Sequence, residues 1–372
     1  MSRVMMIGGG PRTLMDLRGR LLESMRARGH KVVACAGGED NEVETYLRDI
    51  GVHYVSLPLE RTSLNPILDL LFLRRLIMLM REFRPDVVIA YNVKPVIYSL
   101  FAARMAGVQR RYALITGLGY AFSASASIKK ILLSGLVSYL YRIVLSGSDT
   151  VFFQNNDDLA LFRKRNILNS NVRTLRIMGS GVDLKRFTQT PLSDGPFVFL
   201  LIARLLADKG IREYFSAARV VRQSHSNVRF VLLGPFDKNP AGIGRMELQE
   251  WIDEGVVDYW GDTADVRPAL ARCNIFVLPS YREGLPHSVL EAMAMGRAVI
   301  TTDVPGCRDT VENGINGYLV PAHDADALAS AMNRCLMLNT SLAAMGEASR
   351  TIAERKFDVN LINKILLERM KL

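Results

Sequence analysis

At 372 residues the chain is too long for one ordinary core, and two domains are expected. With 49% apolar and 23% charged residues it is globular rather than disordered, and its four separated cysteines (Cys35, Cys273, Cys307, Cys335) exclude a disulfide framework or a Cys/His zinc site. The formal charge of +10 is uneven: residues 1–188 carry 27 Lys and Arg against 15 Asp and Glu (+12), whereas residues 189–372 carry 20 against 22 (−2).

That asymmetry suggests halves with different partners. A basic half suits anionic lipid, a pyrophosphate-bearing substrate or nucleic acid. Nucleic acid is disfavoured, because no Lys/Arg run alternates with aromatics and no reading motif is present. Met1 to Gly8 leads straight into a strand and a glycine turn, with no cleavage site of a secretory signal. The longest apolar runs, 67–80 and 131–145, are interrupted by Arg74, Arg75 and Arg142, too short and too charged to span a bilayer, but they suit a membrane surface.

In chain order, Val4–Ile7 reads as a strand, Leu14–Gly29 as one helix, Lys31–Cys35 as a strand and Asn41–Ile50 as a helix. Tyr54–Leu57 follows as a strand, Leu68–Phe83 as a helix and Pro85–Ala90 as a strand. Continuous apolar strands separated by amphipathic helices predict a parallel sheet covered on both faces. The polar segment Pro191–Pro196 is the best linker, and the pattern then restarts with Phe197–Ala203, Arg229–Leu233, Asn274–Leu278, Ala298–Thr301 and Gly317–Val320. The expected domains are 1–190 and 191–351, with the terminal helix in 352–372 crossing back onto the first. Two doubly wound domains in tandem would leave a cleft at the carboxyl ends of their strands, where ligands are expected.

The most informative stretch is Ser280 to Gly296, where the buried strand Asn274–Pro279 runs into a Gly/Pro turn and a helix opening at Ser288. Glu283 and Glu291 flank that helix start, whose free N–H groups suit a phosphate, so a nucleotide-sugar is the natural ligand. Ser288-Val-Leu-Glu291 also reads as a capping box, Ser at N-cap and Glu at N3. Arg204 and Lys209, at the end of the Phe197–Ala203 strand, match a diphosphate by fork and point charge. They also read as an ordinary solvated turn. Gly8-Gly9-Gly10-Pro11-Arg12 is a substrate-facing turn but not a dinucleotide fingerprint, lacking Gly-x-Gly-x-x-Gly and a following ribose-binding acid. Asp324-Ala-Asp326 sits where acidic residues favour a helix start, so no metal site is nominated. No His–carboxylate pair supports triad chemistry.

These residues resemble the retaining family 4 glycosyltransferases. The resemblance is carried by Glu283-x7-Glu291 with Gly284-Leu285-Pro286 between, and by Arg204 and Lys209. Arg61–Pro66, Thr116–Gly119 and Asp237–Pro240 look like a subgroup adding N-acetylhexosamines to undecaprenyl-diphosphate-linked sugars. The implied fold is GT-B: α/β, two Rossmann-like doubly wound domains facing a deep interdomain cleft. The implied reaction moves a hexose or N-acetylhexosamine from a UDP-sugar to a lipid-linked saccharide in O-antigen, capsule or N-glycan assembly. It would need no metal or other cofactor, and would run peripherally on the cytoplasmic face of a bacterial membrane. By resemblance, Glu291 would bind the ribose and Glu283 would face the donor sugar. The N–H groups around Pro286, Ser288 and Val289 would hold the diphosphate, Arg204 and Lys209 would neutralise it, and Gly234 and Asp262 would lie near the base. Gly9, Gly10, Arg18, Asn92, Lys94, Thr116 and Gly117 are the expected acceptor-side loops. Many family members carry a donor-contacting His where this chain has Tyr91-Asn92-Val93-Lys94. Either a backbone carbonyl serves there, or Lys94 and Asn92 take over. A UDP-sugar epimerase or a noncatalytic sugar- or lipid-binding protein of similar architecture are the alternative readings.

Overall fold

The computed structural model describes residues 1–60, 65–119, 122, 128–237, 239, 241–338 and 341–372. Residues 61–64 of the Arg61–Pro66 segment, and Lys238 and Pro240 of the Asp237–Pro240 segment, lie outside them. The chain divides into two compact units, Met1–Ser180 with Asn360–Leu372, and Gly181–Val359. The division therefore falls ahead of the Pro191–Pro196 segment, which belongs to the second unit.

In the first unit the strands are β1 (Arg3–Ile7), β2 (Lys31–Gly37), β3 (His53–Leu57), β4 (Val87–Tyr91), β5 (Arg110–Ile115), β6 (Thr150–Phe153) and β7 (Thr174–Arg176). They pair in parallel in the order β3-β2-β1-β4-β5-β6-β7. Alternation supplies both faces of the core, since successive side chains of a strand point oppositely. Val4 and Met6 join one cluster; Met5 and Ile7 join another with Phe72, Leu76 and Leu79. The helices are α1 (Pro11–Asp16), α2 (Gly19–Ala27), α3 (Asn41–Asp49), α4 (Pro66–Phe83), α5 (Val93–Met105), α6 (Ile128–Leu145) and α7 (Asn156–Lys164).

The single helix expected over Leu14–Gly29 is two. Arg18 leaves helical geometry (φ −124°, ψ −7°) and becomes the N-cap of α2. Its guanidinium lies over the Tyr91 ring, 5.1 Å from Cζ to centroid. Next to it, a Cβ on Gly19 would stand 2.4 Å from the Tyr46 hydroxyl. Tertiary contact overrides a pattern that is helical throughout.

The second unit holds β8 (Phe197–Ile202), α8 (Ile211–Ser224), β9 (Val228–Leu233), α9 (Arg245–Asp253), β10 (Asp258–Tyr259), α10 (Arg267–Arg272), β11 (Ile275–Leu278), α11 (His287–Ala294), β12 (Ala298–Thr302), β13 (Gly317–Val320), α12 (Ala325–Leu336) and α13 (Ser341–Lys356). Its parallel order is β10-β9-β8-β11-β12-β13. Asp324 caps α12 by accepting the Ala327 N–H at 2.8 Å, as its place at a helix start implied.

The last helix, α14 (Val359–Met370), buries Ile362, Leu366, Leu367 and Met370 in the first unit, with Leu22, Met25 and Val32. Where the chain enters and leaves the second unit, Val182 donates to Phe357 O at 2.7 Å and Val359 donates to Val182 O at 3.1 Å.

Candidate active site

In each sheet the order reverses once, between β1 and β4 in the first unit and between β8 and β11 in the second. Connections leave a reversal point to opposite faces, which opens a crevice at the strands' carboxyl ends. In the second unit that point carries Arg204 after β8 and Ser280–Glu283 after β11.

A 3-10 turn, Ala207–Lys209, delivers Lys209. It closes at Gly210 (φ +69°), where a Cβ would stand 2.0 Å from Pro279 O, so only glycine lets the turn pack on the end of β11. Lys209 Nζ then reaches Glu283 Oε1 at 2.5 Å, with 15% and 16% of the two side chains exposed. Burial works against the ammonium, and the attraction of Glu283 outweighs it, so Lys209 is held above the ordinary lysine range. The same Glu283 oxygen accepts from Ser280 Oγ at 2.8 Å, and Glu283 N–H donates to Pro305 O at 3.0 Å. Gly306 (φ +80°) runs against this loop: a Cβ there would lie 2.5 Å from Glu283 O and 2.6 Å from Gly284 O. Below it, burial and then Glu283 push the Cys307 thiol up to about 12, so it stays a neutral packing group.

Arg204 is exposed and donates to Asp237 Oδ2 at 2.6 Å. Both expected diphosphate cations therefore hold a carboxylate, but they differ: Lys209 is packed into the loop and Arg204 stands in solvent. Neither Ser280 nor Asp237 was identified as a partner from sequence. Ser280-x-x-Glu283 spacing was a usable signal, whereas the 33-residue gap between Arg204 and Asp237 offered none.

The N-cap of the helix after this loop falls two residues earlier than expected. Pro286, not Ser288, is the N-cap of α11, and no side chain caps it. The capping box is not formed. Glu291 Oε1 lies 3.1 Å from His287 Nδ1 instead, one turn away on the same face. Gly284 follows Glu283 directly, and Leu285 and Val289 are buried in the turn and first helical turn. Gly234 (φ +144°) passes so close to Ala203 O that a Cβ would lie 1.9 Å away, and Asp262 is exposed, accepting the Thr263 N–H.

In the first unit the reversal point is held by Asn92 (φ +69°), which accepts the Gly9 N–H at 3.1 Å and donates to Thr116 Oγ1 at 3.2 Å. Three loops, after β1, β4 and β5, are thus tied by one side chain; Gly10 follows as the N-cap of α1, and Gly117 follows Thr116. Lys94 is not brought there. Its Nζ reaches Asp69 at 2.7 Å and Glu60 O at 3.2 Å, because Asp69 on α4 offers a charge and Tyr98 shares it. Among the described residues no group of three or more His, Cys, Asp or Glu could hold a metal ion.

The chain matches two family descriptions, "Glycosyl transferase 4-like domain" over residues 17–177 and "Glycosyl transferases group 1" over residues 196–337. It is 27% identical over 336 residues to the N,N'-diacetylbacillosaminyl-diphospho-undecaprenol alpha-1,3-N-acetylgalactosaminyltransferase of Campylobacter jejuni, covering 87% of this chain and 86% of the relative. An Escherichia coli UDP-Gal:alpha-D-GlcNAc-diphosphoundecaprenol alpha-1,3-galactosyltransferase is 23% identical, covering 80% and 78%. The Anabaena HepE structure in complex with UDP superimposes with a TM-score of 0.78 at 18% identity, covering 99% of each chain. Sucrose-phosphate synthase from Thermosynechococcus elongatus gives 0.79 at 20% identity, covering 99% of this chain and 98% of that one. The two matched regions take in most of the chain, which is a glycosyltransferase of the GT-B fold and belongs to the group 1, type 4-like glycosyltransferases.

Proposed function

We propose that this glycosyltransferase moves a hexose or N-acetylhexosamine from a UDP-sugar to an undecaprenyl-diphosphate-linked saccharide, with retention at the anomeric carbon, in assembly of a bacterial surface polysaccharide or glycan. The supporting observation is the Campylobacter relative, named for transfer to a diphospho-undecaprenol-linked sugar and similar over nearly its whole length. In this reading Arg204 and Lys209 exchange Asp237 and Glu283 for the donor diphosphate as negative charge builds on the leaving group. Stabilising that charge is the largest single contribution available to the protein. The bond from the anomeric carbon to phosphate breaks, the acceptor hydroxyl attacks from the same face, and its proton passes to the departing phosphate oxygen. Glu283 faces the donor sugar and Glu291 accepts from the ribose. The N–H groups at the start of α11, that of Ser288 among them, meet the diphosphate, and Gly234 and Asp262 lie by the base. On the acceptor side, the Gly9–Gly10 turn, Asn92, Thr116 and Gly117 form the receiving loops.

We further propose peripheral association with the inner face of the cytoplasmic membrane. Among the described residues no helix is long and apolar enough to cross a bilayer. Yet α4 exposes Ile67, Leu70 and Leu71 beside Arg74 and Arg75, and α6 exposes Ile131, Leu132 and Leu136 beside Lys129 and Arg142. Apolar and basic groups together suit an anionic lipid surface.

The test is UDP release from a panel of UDP-sugars, with and without a lipid-diphosphate saccharide. Acceptor-dependent release, with product of unchanged anomeric configuration by NMR, is expected. Interconversion of the UDP-sugar without acceptor would mean an epimerase, and neither activity would mean a binding protein.

A further inference from the structure

Among the described residues two arginines are almost completely buried, and their surroundings differ. Arg297, 0% exposed, donates to Leu270 O, Thr190 O, Pro191 O and the Thr190 hydroxyl. Arg18 is 1% exposed, and its Nε and Nη2 have no hydrogen-bond partner among the described residues. A buried cation without compensation is strongly unfavourable. Arg12, six residues earlier, takes Asp40 at 2.7 Å and Glu42 at 2.6 Å. The Tyr91 ring lies 5.1 Å away and presents its π face, which favours the cation but supplies no fork of oxygens.

Arg18 stands beside the reversal point of the first sheet. Tyr91 ends β4; its hydroxyl lies 2.9 Å from Thr13 Oγ1 and occupies the space a Cβ on Gly8 would need. The next residue is Asn92, which ties Gly9 to Thr116. A guanidinium with two unused nitrogens presents a fork that matches two oxygens of one phosphate. The break between α1, of six residues, and α2 falls at this residue.

We propose that Arg18 binds a phosphate oxyanion of the substrate, that of the acceptor's diphosphate. A nucleotide diphosphate offers the same chemistry, but Arg204 and Lys209 are proposed above as its cations in the second unit, whereas Arg18 stands in the first. This inference rests on the lipid-linked acceptor proposed above and names the residue that reads its phosphate.

The full chain and its Arg18→Met and Arg18→Lys variants test it, by thermal unfolding without ligand and with inorganic pyrophosphate or UDP, and by KM for a short-chain polyprenyl-diphosphate saccharide. Met keeps the length and removes the uncompensated charge, so ligand-free Tm should hold or rise while acceptor KM rises at least tenfold and UDP affinity stays unchanged. Lys should fall between. Pyrophosphate should raise the wild-type Tm more than an equal ionic strength of sodium chloride, and should raise it less in Arg18→Met, where only the site at Arg204 and Lys209 is left. A lowered Tm with unchanged acceptor KM in both variants would make Arg18 a packing element on Tyr91 and overturn the inference. Loss of UDP affinity equal to the loss for acceptor would overturn it in favour of the donor's diphosphate. If the wild type uses no lipid-diphosphate acceptor but Arg18→Met still weakens pyrophosphate protection, the anion site stands and the acceptor reading fails.

Discussion

Replacing Glu283 should reveal what the Lys209–Glu283 pair does before any substrate arrives. Glu283→Ala leaves a packed ammonium, 15% exposed, facing an empty space instead of a carboxylate at 2.5 Å. Removing one partner of a buried pair costs about 3–5 kcal/mol, and the residual exposure places this pair near the lower end, about 3 kcal/mol. For a unit of this size that is a drop of roughly 6–12 °C in unfolding temperature. Glu283→Gln keeps an acceptor for Lys209 and for the Ser280 hydroxyl and loses only the charge, so about 2 kcal/mol is expected. The pH dependence follows from the sign of the Lys209 shift. Its pKa is raised above 10.5, so the stabilisation is complete below that value and is lost only as pH climbs through the raised one. The gap between wild type and Glu283→Gln should therefore be flat from about pH 6 to 9 in urea titrations. Transfer should be abolished in both variants, while UDP affinity by calorimetry should not fall, since a diphosphate can replace the lost carboxylate. A Glu283→Ala protein as stable as wild type would refute the pairing argument.

Arg204→Ala should cost ~2.7–4 kcal/mol of transition-state stabilisation in kcat with stability changed by no more than about 0.5 kcal/mol, because its side chain is 49% exposed; Lys209→Ala should lose both activity and stability, since it strands Glu283. Glu291→Ala should weaken UDP binding in calorimetry with little loss of stability, there being no capping box to break; unchanged affinity would remove Glu291 from the donor site. Gly306→Ala should displace the Glu283–Gly284 carbonyls, which a Cβ would approach within 2.6 Å, and lower kcat without touching any side chain of the site. Flotation with anionic vesicles should weaken as salt rises, at about 1 kcal/mol for each basic residue near the surface, and Leu70→Ser with Leu132→Ser should weaken it at low salt; binding indifferent to both would detach the basic unit from the membrane.

The strands were legible because those at the centre of each sheet are buried on both faces and so read as unbroken apolar runs, β4, β11 and β12 most plainly. The broken first helix was not. Leu14, Leu21, Leu22 and Met25 keep a helical pattern through the break, which is made by Tyr91 and Tyr46, residues distant in sequence. Ser288 was placed at the N-cap by its residue type, but extended Pro286 (φ −74°, ψ 110°) begins the helix first. In the candidate site, the motif singled out the loop where Glu283 lies but not the partners its side chains take. Glu283 and Lys209 carry separate expected roles and yet touch, and Lys94 is drawn off by an aspartate 25 residues away. Pairings of that kind are decided by where loops end, which spacing does not encode.

Because Asn360–Leu372 return to the first unit, the second unit is, in topology, a cassette inserted into the first, pinned at its two ends by the hydrogen bonds joining Val182 to Phe357 and Val359. During synthesis the order of completion is therefore reversed from the order of the chain. The second unit is contiguous and has every strand once residue 359 has emerged, but the first must wait with Leu22, Met25 and Val32 uncovered until Ile362, Leu366 and Met370 leave the ribosome. A nascent chain paused before that point would present a basic unit with an uncovered apolar patch to whatever surface lies nearby, and emergence of residues 360–372 would cover it.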